Sequence, residues 1–134
     1  MNTPSTVTGT IESKSWEQTD FAATEGAPNL GIATGHDLYS GAIEGDADWQ
    51  GLTCTAADGS GTFDSLQRTR GTLDGRTGTF VLRMTGTFCP SGDSRAEWSV
   101  IPDSGTGELT GLTGTGGYDS TAGTNTYTLT YSFE

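Results

Sequence analysis

The sequence predicts an all-β fold, an eight-stranded antiparallel up-and-down barrel built from one domain over residues 1–134. Three observations lead there. Glycine (21 residues) and threonine are abundant while helix formers are sparse, a composition suited to strands and turns. Several segments alternate apolar and polar residues with a period of two, most clearly Tyr127, Leu129, Tyr131 and Phe133 against Thr126, Thr128, Thr130 and Ser132. Finally, Ser104–Tyr118 (SGTGELTGLTGTGGY) repeats glycine beside threonine with no helical periodicity, as bends and bulges in a curved sheet require. A chain of 134 residues buries roughly two-thirds of its unfolded surface, enough for a single core.

The elements follow in order. Thr6–Trp16 mixes β-branched and polar residues and reads as the first strand. The acidic segment Glu17–Gly31 has no periodicity and reads as the longest loop, either a functional lid or a surface excursion. Ala33–Gly45 and Ala47–Thr55 read as the second and third strands, with a tight turn near Gly45 and Asp46. Thr62–Leu73 and Thr79–Phe88 flank Asp74-Gly75, a strong hairpin signal. Arg95–Ile101 is the sixth strand, stopped by Pro102, which cannot donate to a ladder. A bent seventh strand around Glu108–Thr115 and the alternating Asn125–Glu134 complete the count. Short turns make neighbours antiparallel, so the eighth strand runs correctly to pair with the first. Closure removes two exposed edges; an open sandwich would use the same strands.

Charge narrows the partners. A net charge of −11 repels polyanions and anionic membrane surfaces, so neither nucleic acid nor membrane is expected. The start MNTPSTVTGTIE has neither a basic nor a long apolar stretch, and no segment is long enough to span a bilayer, which points to a cytoplasmic protein.

Parity decides what faces the interior. In a helix-free barrel the apolar faces turn inward, placing Phe80, Leu82 and Met84 of the fifth strand, Trp98 and Val100 of the sixth, and Tyr127, Leu129 and Tyr131 of the eighth inside. Gly41, Gly51, Gly71 and Gly86 admit two readings, unfilled space or relief of curvature. Gln67 is ambiguous: sharing the face of Phe63 puts it inside, sharing that of Leu66 outside. Alternating direction places Trp16, Cys54, Cys89, Tyr118, the Glu17–Gly31 loop and His36 at one mouth.

His36 is the single histidine and a candidate for proton transfer, although Asp37, its neighbour in the strand, points to the opposite face. Cys54 and Cys89 lie two strand intervals apart, roughly 9 to 10 Å, beyond the usual disulfide reach; a bridge formed by loop closure, a catalytic thiol and a structural thiol all stay open. DADWQG at Asp46–Gly51 mimics part of a calcium loop but has Ala57 where a bidentate glutamate is required. The glycine-rich run lacks both G-x-G-x-x-G and G-K-[ST] and precedes no helix. Neither a metal nor a cofactor is expected.

The segments KSWEQ, FDSLQRTRGTLDGRTGTFVLRMTGTF, SGTGELTGLTGTGGY and TYTLTYSFE resemble a bacterial family of unknown function in the allene-oxide-cyclase-like barrel superfamily, over Thr6–Glu134. The SGTG element also resembles a turn of plant dirigent proteins. The resemblance implies an apolar barrel cavity, a homo-oligomer and cofactor-free cyclisation or stereochemical guidance of a reactive substrate. Family members tend to carry glutamate at the position of Gln67 and histidine near Met84; these departures leave this cavity more apolar. The expected function is therefore a cofactor-independent cyclase or isomerase of a small, largely apolar molecule, the alternative being a non-catalytic lipophile-binding protein. Trp16, Phe80, Met84, Trp98, Tyr127 and Leu129 would shape the pocket, with Gln67, the Tyr131 hydroxyl or His36 as the catalytic candidates.

Overall fold

In the computed structural model, which describes residues 3–134, eight strands close into one barrel. They are β1 (Ser5–Phe21), β2 (Asn29–Gly41), β3 (Ile43–Thr55), β4 (Gly61–Leu73), β5 (Arg76–Phe88), β6 (Ser94–Val100), β7 (Leu112–Thr121) and β8 (Thr124–Phe133). Every neighbouring pair is antiparallel, and β8 returns to β1 with Val7 opposite Leu129. The closed all-β barrel and the Asp74-Gly75 hairpin of the sequence reading are observed. No helix among the described residues is long and apolar enough to cross a membrane.

Several boundaries differ from the sequence reading, three of them in ways that matter for the site. The expected long loop is mostly strand: β1 runs on to Phe21 and β2 begins at Asn29, leaving a turn at 22–28. Glu17 and Thr19 are outward, exposed and paired to β2, so the polarity of this stretch reflects a solvated face, which Phe21 shares. The turn placed near Gly45 and Asp46 lies earlier, at Gly41–Ile43, and Asp46 is inside β3. The seventh strand starts at Leu112; the preceding 101–111 excursion ends in a short 3-10 turn, Gly107–Leu109.

That excursion closes one end. The Thr106 N–H bonds the Thr79 carbonyl, and the Ser104 and Thr106 hydroxyls accept the N–H groups of Val81 and Thr79, extending the sheet edge of β5. Leu109 and Leu112 thereby drop into the barrel and pack with Ile43, Leu73, Phe80, Leu82, Val100, Tyr127 and Leu129. All nine are at most 5 % exposed, so this half is solid. At Gly71, φ is +140° and an added Cβ would sit 2.1 Å from the Glu44 carbonyl oxygen, so this glycine relieves a close backbone approach.

The other end carries the turns 22–28, 56–60, 89–93 and 122–123 and is open. The β1–β8 ladder ends at Thr10–Thr126, whereas β1 continues beside β2 to Phe21. A register shift between Ser13 and Ser15, with Lys14 as the extra residue, turns the inward set from Ile11 and Ser13 to Trp16 and Gln18.

Candidate acid/base cavity

The open half encloses about 440 Å³, within the range of small-molecule sites. Its wall is largely apolar and aromatic, with Ile11, Trp16, Trp49, Phe63, Met84, Phe88 and Tyr118 around it. A broader depression of about 690 Å³ on the outside, around Thr85, Glu97 and Thr128, is more open to solvent and is lined mainly by outward-facing residues. The interior is therefore the more enclosed of the two.

One carboxyl group faces this interior. On β2 the inward residues are Gly31, Ala33, Gly35, Asp37 and Tyr39, and Asp37 lines the cavity as its single carboxylate among the described residues. Burial pushes its carboxyl up to about 6, against the opposing influences of a hydrogen bond from the Trp49 side chain and of nearby His36. Trp49 reaches it because residue 35 is glycine: a Cβ there would stand 2.4 Å from the indole ring. Tyr39 lies two residues deeper on the same face. Its hydroxyl oxygen accepts the Gln67 amide N–H at 2.7 Å, and the same amide donates to Thr69 at 3.2 Å. Burial, with Asp37 close by, holds the Tyr39 phenol far above its usual range, so it stays protonated. The Trp98 indole N–H and the Thr53 hydroxyl are buried without a partner among the described residues. Trp98 lies beside the Tyr39 ring, centroid to centroid 6.5 Å.

The sequence-predicted residues separate into three groups. Gln67, Trp16 and Met84 line the cavity; Gln67 shares the inward face of Phe63 and is 1 % exposed. Phe80, Leu129, Tyr127 and Trp98 are buried but do not line it. Phe80, Leu129 and Tyr127 belong to the packed half, where the Tyr127 hydroxyl accepts from the Ile43 N–H at 2.9 Å and donates to the Ser40 carbonyl at 3.0 Å. His36 and Tyr131 lie outside the cavity, contrary to expectation. His36 is mid-strand and outward, because β2 starts four residues before Ala33. There Nδ1 meets Asp48 at 2.8 Å and Nε2 meets Asp46 at 3.4 Å, and Arg70 reaches both carboxylates at 2.8 Å. Tyr131 is at the closed end, its hydroxyl donating to the Asp74 carboxylate and its phenol pushed up to about 12 by burial and by that contact.

Cys54 and Cys89 are free thiols, Cys89 at the rim. No group of three or more His, Cys, Asp or Glu side chains among the described residues is arranged to hold a metal ion. Asp37, Tyr39 and Trp49 were missed by sequence reasoning. The signal available was parity: Asp37 shares its face with Tyr39, so an apolar inward Tyr39 carries an acid inward with it.

The family model described as "Protein of unknown function (DUF3224)" matches residues 7–131. A crystal structure of a protein of unknown function from the same family, from Shewanella oneidensis MR-1, is 30% identical over 98% of this chain and 99% of that chain, with a TM-score of 0.81. No curated protein matches the chain.

Proposed function

Because the chain belongs to the DUF3224 family, whose description names no reaction, we propose a function from the cavity itself: cofactor-independent isomerisation or cyclisation of a small, largely apolar molecule, with Asp37 as the acid/base group. The single observation that carries this is a lone carboxyl group facing an aromatic-walled interior of about 440 Å³. A carboxyl that titrates near neutrality both accepts and returns a proton at working pH. The walls restrict the substrate to a few conformations, which alone lowers a cyclisation barrier by several kcal/mol. The likeness of the sequence to allene-oxide-cyclase-like barrels points the same way, as an analogy of fold.

The acid/base role replaces those first considered for His36 and Tyr131. Gln67 keeps a place as the group that fixes Tyr39. The homo-oligomer implied by the resemblance has a surface to form on: Phe21 pairs with Leu30, Ile32 pairs with Leu52, and Leu66 lies nearby, all exposed on the outer wall.

Binding of neutral Nile red tests the reading. Saturable, fluorescence-enhancing binding is expected, and Ser65→Phe, which fills the cavity from β4, removes it while the far-ultraviolet circular dichroism stays the same. Absence of saturable binding to the wild type overturns the cavity as a ligand site. If candidate polyenes, epoxides and enones bind but are recovered unchanged, the protein is a binder and the enzymatic reading falls.

A further inference from the structure

We propose that the substrate is a lipophilic, enolisable carbonyl compound, a β,γ-unsaturated ketone or a close equivalent, whose oxygen is held by the Tyr39 hydroxyl while Asp37 carries a proton from its α-carbon to its γ-carbon. The inference rests on the acid/base reading of the cavity and names its substrate class.

The argument starts from the hydroxyl of Tyr39. Its oxygen accepts the Gln67 N–H, and its own proton has no acceptor among the described residues. A buried O–H without an acceptor costs free energy, and a carbonyl oxygen in the cavity recovers it. Gln67 anchors the phenol from behind, held in turn by Thr69, so the donor is fixed before any ligand arrives. Both hydrogen bonds are donated by the Gln67 amide nitrogen, to Tyr39 and to Thr69, which makes Gln67 a positioning residue in this reaction.

The second half is spacing. Asp37 and Tyr39 stand at i and i+2 on one strand face, roughly 6.5 Å apart along β2. A flat enone lying along β2 presents its oxygen to Tyr39 and its α- and γ-carbons toward Asp37. Trp49 donates to the carboxylate and holds it; Ser13 lies opposite Asp37 on β1 and Gln67 against Tyr39, and the aromatic wall begins beyond them with Trp16, Phe63 and Tyr118. A ketone with a hydrocarbon chain offers one acceptor to the Tyr39 O–H and its apolar remainder to Trp16, Trp49, Phe63 and Met84.

The step balances without a co-reactant. The Asp37 carboxylate takes the α-proton; the C–H electron pair enters the π system, giving a dienolate whose oxygen accepts the Tyr39 O–H. The protonated Asp37 then returns the proton to the γ-carbon, the α,β double bond forms and the carbonyl is restored. Nothing is oxidised or reduced. Tyr39 and Tyr118 are the other titratable groups facing Asp37 from within, and His36 is next to it on the outer face.

The test uses a nine-carbon β,γ-unsaturated methyl ketone. Binding is followed by tryptophan fluorescence, and turnover by the ultraviolet absorbance of the conjugated product and by deuterium uptake from D2O. Wild-type protein is expected to conjugate the probe, with a rate that rises with pH through about 6 as Asp37 ionises. Asp37→Asn is expected to bind the probe and lose about 10²- to 10⁴-fold in rate, with Asp37→Glu recovering part of it. Tyr39→Phe is expected to lower kcat about 10²-fold with the pH limb unmoved. Saturable binding of the probe with neither conjugation nor deuterium uptake by wild type overturns the carbonyl proposal and leaves the cavity intact. Failure of both the probe and Nile red to bind overturns the underlying reading instead.

Discussion

Asp37 is held where its charged form is least solvated, and this has a measurable consequence for folding. Its carboxyl lies near 6 in the folded protein against an ordinary value of 3.8, so between these pH values the folded state binds the proton and the unfolded state does not. Stability contributed by protonated Asp37 is full below pH 3.8 and is lost as pH rises through 6. Asp37→Asn is therefore expected to unfold at a higher temperature than wild type above pH 6, and the gap is expected to narrow toward pH 4; differential scanning calorimetry across that range checks it. Tyr127 shows the opposite case, a buried polar group with every bond made. Tyr127→Phe leaves the Ile43 N–H and Ser40 carbonyl without that partner, and a loss of about 1–3 kcal/mol in urea denaturation is expected.

At the scale of elements, the register of β1 decides the cavity wall. The extra residue Lys14 lets Ser13 and Trp16 both face inward although three positions separate them. Deleting Lys14 removes the bulge and leaves Ser13 and Trp16 two positions apart, so an unbroken ladder keeps Ser13, Trp16 and Gln18 facing inward. Retained Nile red binding with retained β-structure is the expected result, measured by fluorescence and circular dichroism, and loss of binding in a folded barrel would show that the bulge itself shapes the wall. Strand existence and pairing were legible in the sequence because alternation and the Asp74-Gly75 turn are local signals. The bulge was not, since Lys14 between polar neighbours carries no apolar period to shift. The same limit hid Asp37. A single acid in Gly35–Tyr39 reads as solvent-facing until the pairing of Gly35 with Trp49 and of Asp37 with Ala47 fixes which face is inside. His36 was misplaced because the exposed, polar start of β2 looked like loop. Gln67, ambiguous by sequence, was settled by its β3 partner Trp49, an inward residue.

The whole molecule is a barrel with two unlike halves. The 101–111 excursion and the large side chains of β5 and β8 fill one end, and small residues at Gly51, Ser65 and Ala33 leave the other hollow. On the proposed function this asymmetry separates stability from chemistry, so substitutions at Leu82 or Leu129 are expected to unfold the protein, whereas those at Asp37 or Tyr39 are expected to change the proposed reaction in a folded barrel. On the outer wall, Leu52→Lys with Leu66→Lys is expected to lower the assembly state seen by sedimentation velocity if Phe21, Leu30 and Ile32 form the oligomer surface; a mass unchanged by the pair of substitutions removes that surface from consideration.

The central claim is that Asp37 faces a ligand cavity and titrates there. Carbon-13 NMR of the Asp37 carboxyl, assigned by Asp37→Asn and recorded across pH with and without the nine-carbon ketone, tests it most directly. The expected result is a midpoint near 6 that moves on saturation with the ketone. A midpoint at the ordinary value of 3.8, indifferent to the ketone, would contradict the account.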